Sequence, residues 1–444
     1  MIGAIGVETI LQIGEGNFLR AFAENYLQEA VDNGYGGKVV ICQPRTNTAV
    51  INALKKQNCE YDIIIRGRAG GEIVNERKHI SCVSRCIDTV GEYGELQKLF
   101  CSDGLKIVIS NTTEAGICFD ELDKMENSPN VSFPAKVTAL LYERFLSKAK
   151  GLVFLPVELI EQNGDKLREC IIQYAKLWEL GGAFIEYVEN ECSFCNTLVD
   201  RIVTGHIADD YDPCSTACEP YESWIIQADE RAKAAIPFRG ITYTDDLVPY
   251  RTRKVRILNG AHTMSVLAAH MAGFDIVRDM VNDELFGKYI QQGLEEIKST
   301  IDLPRQELDE FAGSVLERFN NPFIDHKLLD ISLNSVSKFK ARCLDTIIDH
   351  YNLNGALPKV LTFSLAALIA FYLKAGDRDY EVKDSKEVLD FFAQRPGIRD
   401  ILSNVSFWGR DLTEINGMLQ AVENGFESIR ENGIVDAVKE VINE

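Results

Sequence analysis

The first 250 residues carry short apolar, partly β-branched runs at 9–13, 38–42, 105–109 and 151–155, each followed by a longer amphipathic stretch. Runs of this kind lack polar–apolar alternation because both of their faces are buried, as in parallel strands joined by crossover helices. The pattern predicts an α/β domain over 1–250, doubly wound and of Rossmann type. One insertion interrupts it. Residues 61–66 and the polar stretch after Gly70-Gly71 predict a hairpin at the sheet edge.

After Arg251 the character changes to long helical periodicity with punctuation such as Asp302-Leu303-Pro304, Asn321-Pro322 and Gly355-Ala356-Leu357-Pro358. Residues 251–444 are therefore expected to form a mostly α-helical second domain, and 444 residues are enough for two cores. No low-complexity linker separates the halves, so a packed junction is expected, and ligand sites favour such junctions. The net charge of -20 argues against a nucleic-acid surface or an anionic membrane as partner. Residues 1–11 show no basic segment ahead of an apolar one, and the most apolar run, 360–373, is shorter than a bilayer span. A cytoplasmic protein is expected, with its 12 cysteines reduced and scattered through the core.

Gly14-Glu15-Gly16-Asn17-Phe18 follows the first strand and opens a predicted helix over 19–30. A glycine turn in that position lets backbone N–H groups meet a pyrophosphate, although the third glycine of the dinucleotide fingerprint is replaced by Leu19. Taken alone, the segment reads equally as a cofactor loop or a plain turn. The second strand runs into Gln43-Pro44-Arg45, without the acid that binds the ribose of NAD. Gln43 suits a ribose hydroxyl and Arg45 a 2′-phosphate, so NAD and NADP both remain open on chemistry. Ser110-Asn111-Thr112-Thr113-Glu114 follows a strand end, where it suits either cofactor contacts or an N-cap.

Lys254, Asn259 and His262 stand at offsets of zero, five and eight, which spread over about 140° of an α-helix. All three can face one cavity. A lysine ammonium in an apolar setting loses solvation and becomes a usable proton donor near neutrality, whereas on an exposed helix face it is merely solvated.

This cluster resembles the Lys-x4-Asn-x2-His signature of the mannitol dehydrogenase family, the polyol-specific long-chain dehydrogenases. Gly14–Phe22 is similar to that family's N-terminal loop, and Ser193-Phe194-Cys195-Asn196-Thr197-Leu198-Val199-Asp200-Arg201-Ile202 to its central signature. The resemblance spans nearly the whole chain. Segments at 110–117, 198–205, 257–263 and 361–372 read like its sugar-acid branch rather than its polyol branch.

The resemblance implies an NAD-dependent, metal-independent oxidoreductase that interconverts D-tagaturonate and D-altronate in hexuronate breakdown. Reduction of D-fructuronate is the alternative. It implies Lys254 as general acid/base, Asn196 and Asn259 as electrophilic amides, and His262 as a substrate-positioning group. Ile13, Gly14, Gly16, Asn17, Phe18, Leu19, Arg20, Gln43, Asn111, Thr112, Thr113 and Glu114 are implied for the cofactor. Lys338 aligns with a substrate-contacting lysine, and Arg201, Arg256 and Arg318 are further candidates for the substrate carboxylate. Asp330 stands where the polyol enzymes carry an arginine, so the substrate contacts have shifted.

One rival pattern remains. Cys192-x2-Cys195 and Cys214-x3-Cys218 have the spacing of a four-thiolate zinc site. Such a site would make the chain a zinc-stabilised, non-catalytic nucleotide sensor.

Overall fold

A computed structural model of the chain describes residues 7–44, 46–113, 115–208, 210–375 and 378–443. It divides into two compact units. The first holds residues up to Leu247 except Gly67–Glu72; the second holds Gly67–Glu72 and everything from Val248 onward.

The first unit is built on a six-stranded sheet in the spatial order Val83–Ile87, Gly37–Cys42, Val7–Ile13, Ile107–Ser110, Val153–Pro156, Ser193–Phe194. All neighbours run parallel. Numbered along the chain this is 3-2-1-4-5-6, the doubly wound order whose direction reverses between the first and fourth strands. Side chains alternate between two apolar cores: Ile10, Val39, Ile41, Ile107 and Ile109 enter one, and Leu11, Ile13, Val40, Cys42 and Val108 the other. This two-sided burial explains why the runs read as continuous apolar segments.

The hairpin forms, as Tyr61–Ala69 and Glu72–Ile80, but not at the edge of the parallel sheet. It lies in a separate four-stranded sheet with Val203–Gly205 and Thr216–Cys218. Tyr61–Ala69 takes Thr216–Cys218 as its parallel neighbour, whereas Val83–Ile87 occupies the edge position beside Gly37–Cys42. A third small sheet joins Asn196–Asp200, Ser223–Gln227 and Thr242–Tyr243.

The second unit is helical. Its centre is Lys359–Tyr372, in which every residue from Val360 to Tyr372 is buried against Gly260–Met271, Glu284–Lys298 and Met418–Asn432. Among the described residues no helix is long and apolar enough to cross a membrane. Within the helical run from Val248 to Met271, the segment Lys254–Asn259 is wound as a π-helix. A second π-helical segment, Lys340–Leu344, packs against it. Such segments occur often at functional sites, because they displace side chains from the regular helical stagger.

Candidate active site

In the first unit the glycine loop sits where the sheet order reverses. Ile13 is level with Cys42 on one side and with Ser110 on the other. Beyond it, the Gly14 N–H donates to the Cys42 carbonyl at 2.8 Å, and the Asn111 N–H to the Ile13 carbonyl at 3.1 Å. Gly14 has a φ of +131°, and a Cβ there would stand 2.9 Å from the Asn111 oxygen. Only glycine suits that conformation and that approach. A Cβ on Gly16, by contrast, would meet nothing within 4 Å. Gly16 precedes the short helix Asn17–Ala21 with no side-chain cap, so open space lies over the first helical amides.

The predicted loop residues divide by burial. Gly16 and Asn17 are exposed, and Phe18 is half-buried and stacked on Phe22 at 5.0 Å. Leu19 and Arg20 are buried and shape the loop from beneath. The Arg20 guanidinium donates to the Glu15 carbonyl at 3.0 Å, to Asn17 Oδ1 at 2.6 Å and to the Cys214 carbonyl. The helix predicted over 19–30 is broken in two at Phe22, into Asn17–Ala21 and Ala23–Asp32.

Gln43 is fully buried, and its Nε2 donates to Asp88 at 2.7 Å. The acid missing after the second strand thus stands after the neighbouring one, at the end of Val83–Ile87. Thr112 is pinned by Glu158, which accepts from both its N–H and its hydroxyl at 3.0 Å and from Ser110 Oγ at 3.1 Å. Thr113 holds a φ of +141°, a strained value for a β-branched residue. Arg45 and Glu114 lie outside the described residues.

Two of the expected site residues in this unit are engaged by the unit's own groups. Asn196 is buried, with Oδ1 accepting from the Asp165 N–H at 3.1 Å and Nδ2 donating to the Asp165 carboxylate at 2.8 Å and to Gln227 at 3.1 Å. Both amide protons are spent inside the unit. Arg201 is likewise consumed: its side chain is 1% exposed and donates to the carbonyls of Glu219 and Ala21 and to the Glu222 carboxylate. It acts as a structural cation within the unit.

The zinc pattern does not assemble. Cys192 belongs to one apolar core of the parallel sheet, whereas Cys195, Cys214 and Cys218 belong to the other. Burial raises all four thiols, Cys192 and Cys218 to about 11 and Cys195 to about 12.

In the second unit Lys254, Asn259 and His262 are all half-buried. The wider turn of the π-helix brings Asn259 nearer in angle to Lys254 than the 140° or so that an α-helix would put between them. Among the described residues the Asn259 amide has no hydrogen-bond partner, and its carbonyl accepts from Thr263 Oγ1 at 2.9 Å. The His262 ring lies 3.9 Å from that of Phe319 and 5.3 Å from that of His326, and its Nδ1 is buried without a hydrogen-bond partner among the described residues. Burial holds His262 well below its usual range, and the fields of His326, Arg342, Arg318 and Lys338 push it further down. At neutral pH it is an uncharged imidazole.

Lys338 is half-buried and donates to the Ile331 carbonyl at 2.8 Å. Arg256 turns away to Asp349 at 2.6 Å and Thr300 Oγ1 at 2.9 Å, while Arg318 is buried in Arg305–Phe319. Glu158, Asp165, His326 and Arg342 had not been singled out. Glu158 had a signal, an acid two residues beyond a strand end; the other three had none.

The chain matches two domain models, the mannitol dehydrogenase Rossmann domain over residues 8–239 and the mannitol dehydrogenase C-terminal domain over residues 246–430. It is 39% identical to the altronate oxidoreductases of Escherichia coli K12 and Shigella flexneri, covering 98% of this chain and 97% of each of theirs. Among solved structures it is similar to D-sorbitol dehydrogenase in substrate-free form, with a TM-score of 0.84 at 19% identity over 98% of this chain and 95% of that one. Pseudomonas fluorescens mannitol 2-dehydrogenase, solved with NAD and D-mannitol, has a TM-score of 0.69 at 20% identity over 98% and 94% of the two chains. With both domain models matched in order and relatives aligned over nearly the full length, the chain belongs to the mannitol dehydrogenase family.

Proposed function

We propose that the protein is a cytoplasmic, NAD-dependent oxidoreductase that interconverts D-tagaturonate and D-altronate in hexuronate breakdown, with a lysine in place of a metal. The observation that carries this reading is the π-helical turn that brings Lys254 and Asn259 to one face beside His262, in a chain 39% identical to altronate oxidoreductases. The residues present fit a dinucleotide. The reversal point of the sheet, the close passage of Gly14 over Asn111 and the open space at Gly16 together form a cradle for a pyrophosphate. Bound NAD supplies or accepts the hydride.

The chain's own residues manage proton and charge. A ketone that accepts hydride becomes an alkoxide, and Lys254 donates the proton to that oxygen; in the reverse direction it withdraws it. The Asn259 amide donates a hydrogen bond to the same oxygen, and because the π-turn already holds it there, little reorganisation is needed as charge develops. Neutral His262 offers its orphaned Nδ1 to a substrate hydroxyl. Asn196 is assigned no donor role, since Asp165 and Gln227 hold its amide.

The test is NADH oxidation with D-tagaturonate and with D-fructuronate, for the native enzyme and for Lys254→Ala. Turnover of tagaturonate, reduced by about 10²–10⁴-fold in the variant, is expected. Full activity in the variant would remove Lys254 from the mechanism, and no turnover of either uronate would remove the substrate assignment.

A further inference from the structure

We propose that Arg342 is the residue that binds the carboxylate of the substrate, taking it on the open fork of its guanidinium beside Lys338. The inference rests on the sugar-acid reading above and adds which side chain distinguishes an acid from a polyol.

The protein carries a net charge of -20, so carboxylates are plentiful. Four half-buried arginines of the helical unit use them: Arg253 meets Glu307 at 3.7 Å, Arg256 meets Asp349 at 2.6 Å, Arg278 meets Asp325 at 2.6 Å and Arg378 meets Asp275 at 2.5 Å. Arg342 is also half-buried, yet no carboxylate pairs with it among the described residues. Its one hydrogen bond there runs from Nη1 to Thr263 Oγ1 at 3.3 Å. Nε and Nη2 donate to nothing among the described residues, and burial disfavours the charge they share. A half-buried cation with no anionic partner among the described residues is costly to maintain in a protein so rich in acids. The cost is offset when an anionic ligand binds.

Position supports the same assignment. Arg342 lies on the π-helical segment Lys340–Leu344, which packs against the segment of Lys254 and Asn259. Gly260 permits that packing, since a Cβ there would lie 3.3 Å from the Arg342 carbonyl. Cys343 Sγ also reaches the Gly260 carbonyl, at 3.8 Å. The bond to Thr263 places the guanidinium next to His262, on the residue that follows it. Lys338 stands four residues before Arg342, where helical side chains are neighbours, and its charge is disfavoured first by burial and then by the field of Arg342. Lys338, Arg342 and buried Arg318 all act on His262, which is itself neutral. The cluster therefore presents positive charge beside the proposed hydroxyl-binding group. A guanidinium with two adjacent N–H groups open matches a carboxylate bidentately, which a lysine ammonium cannot do.

The test compares D-tagaturonate with D-tagatose, which carries a hydroxymethyl group in place of the carboxylate, in the native enzyme, Arg342→Gln and Arg342→Lys. Binding of D-altronate and of the corresponding polyol to the NAD-saturated proteins is measured by calorimetry in parallel. For Arg342→Gln, kcat/KM on tagaturonate is expected to fall by about 100-fold or more, chiefly through KM, and altronate affinity to fall in step. Turnover of tagatose and binding of the polyol should stay within a few-fold of native values. Arg342→Lys should recover part of the acid preference, and it carries the test if the glutamine variant does not fold.

Equal losses on tagaturonate and tagatose, or no loss on either, would overturn the proposal while leaving the uronate activity standing. If the native enzyme turns over neither uronate, the substrate reading fails. The carboxylate site then stands or falls on whether Arg342→Gln weakens altronate binding relative to the polyol.

Discussion

Lys254 and Asn259 are the first and last residues of one π-helical segment, so the group proposed to carry the proton and the amide proposed to stabilise the alkoxide leave the helix from one side. Two groups acting on one oxygen need this convergence, and a regular α-helix would set them about 140° apart. Asn259→Ala should therefore lower kcat by about 10²–10³-fold with KM little changed, the pattern of an interaction made only as charge develops. Steady-state kinetics decide the matter, because a raised KM with native kcat would make Asn259 a ground-state binding residue instead.

A substitution at Gly14 tests the cofactor cradle separately from the chemistry. Alanine there must hold a φ of +131° with its Cβ 2.9 Å from the Asn111 oxygen, a strain of about 1–3 kcal/mol. The expected result is a lower melting temperature together with weaker NADH binding, followed by nicotinamide fluorescence. Native NADH affinity in Gly14→Ala would show that the cofactor lies elsewhere.

The parallel sheet was legible because burial on both faces leaves uninterrupted apolar runs, and four of its six strands carried them. Val83–Ile87 was not, since Ser84 and Arg85 break the run, and Ser193–Phe194 is only two residues long. The lysine turn was legible in composition but not in geometry. Nothing in Lys254-Val255-Arg256-Ile257-Leu258-Asn259 signals π winding or the packing of this segment against Lys340–Leu344. For Arg201, an arginine inside a matching block looks functional in sequence, and only tertiary contacts reveal that the Glu219 and Ala21 carbonyls engage it. Arg342 escaped notice for the converse reason: what marks it is the lack of a carboxylate partner among the described residues, which a linear sequence does not display.

Thiol chemistry gives a prediction that bears on the zinc pattern. Of the 12 cysteines, Cys118 is exposed, Cys101 is half-buried and the other ten are buried. Burial also raises Cys192, Cys195 and Cys218 to about 11 or 12, leaving them protonated and poorly reactive at pH 8. Titration of the folded protein with a thiol-specific disulfide reagent should therefore show one fast equivalent that disappears in Cys118→Ser, the remainder reacting on unfolding. About one equivalent of zinc retained through chelation, released as further thiols become reactive, would restore the four-thiolate reading.

Beneath the glycine loop, Gln12 Nε2 donates both to the Gly14 carbonyl at 2.9 Å and to Glu24 Oε1 at 2.6 Å. Glu24 is fully buried, its Oε2 has no partner among the described residues, and burial pushes its carboxyl up to about 7 from 4.5, against the smaller opposing effect of the Gln12 bond. The folded protein therefore holds this proton more tightly than the unfolded chain does. The resulting stabilisation is fully present below pH 4.5 and is lost as pH rises through about 7. Glu24→Gln keeps the shape and removes the titration. It should match the native protein's stability near pH 5 and exceed it by up to about 3 kcal/mol at pH 8, an order-of-magnitude figure from the displaced proton affinity. Thermal melts of both proteins between pH 5 and pH 8 provide the check, and parallel curves across that window would show that Glu24 is ionised in the fold after all.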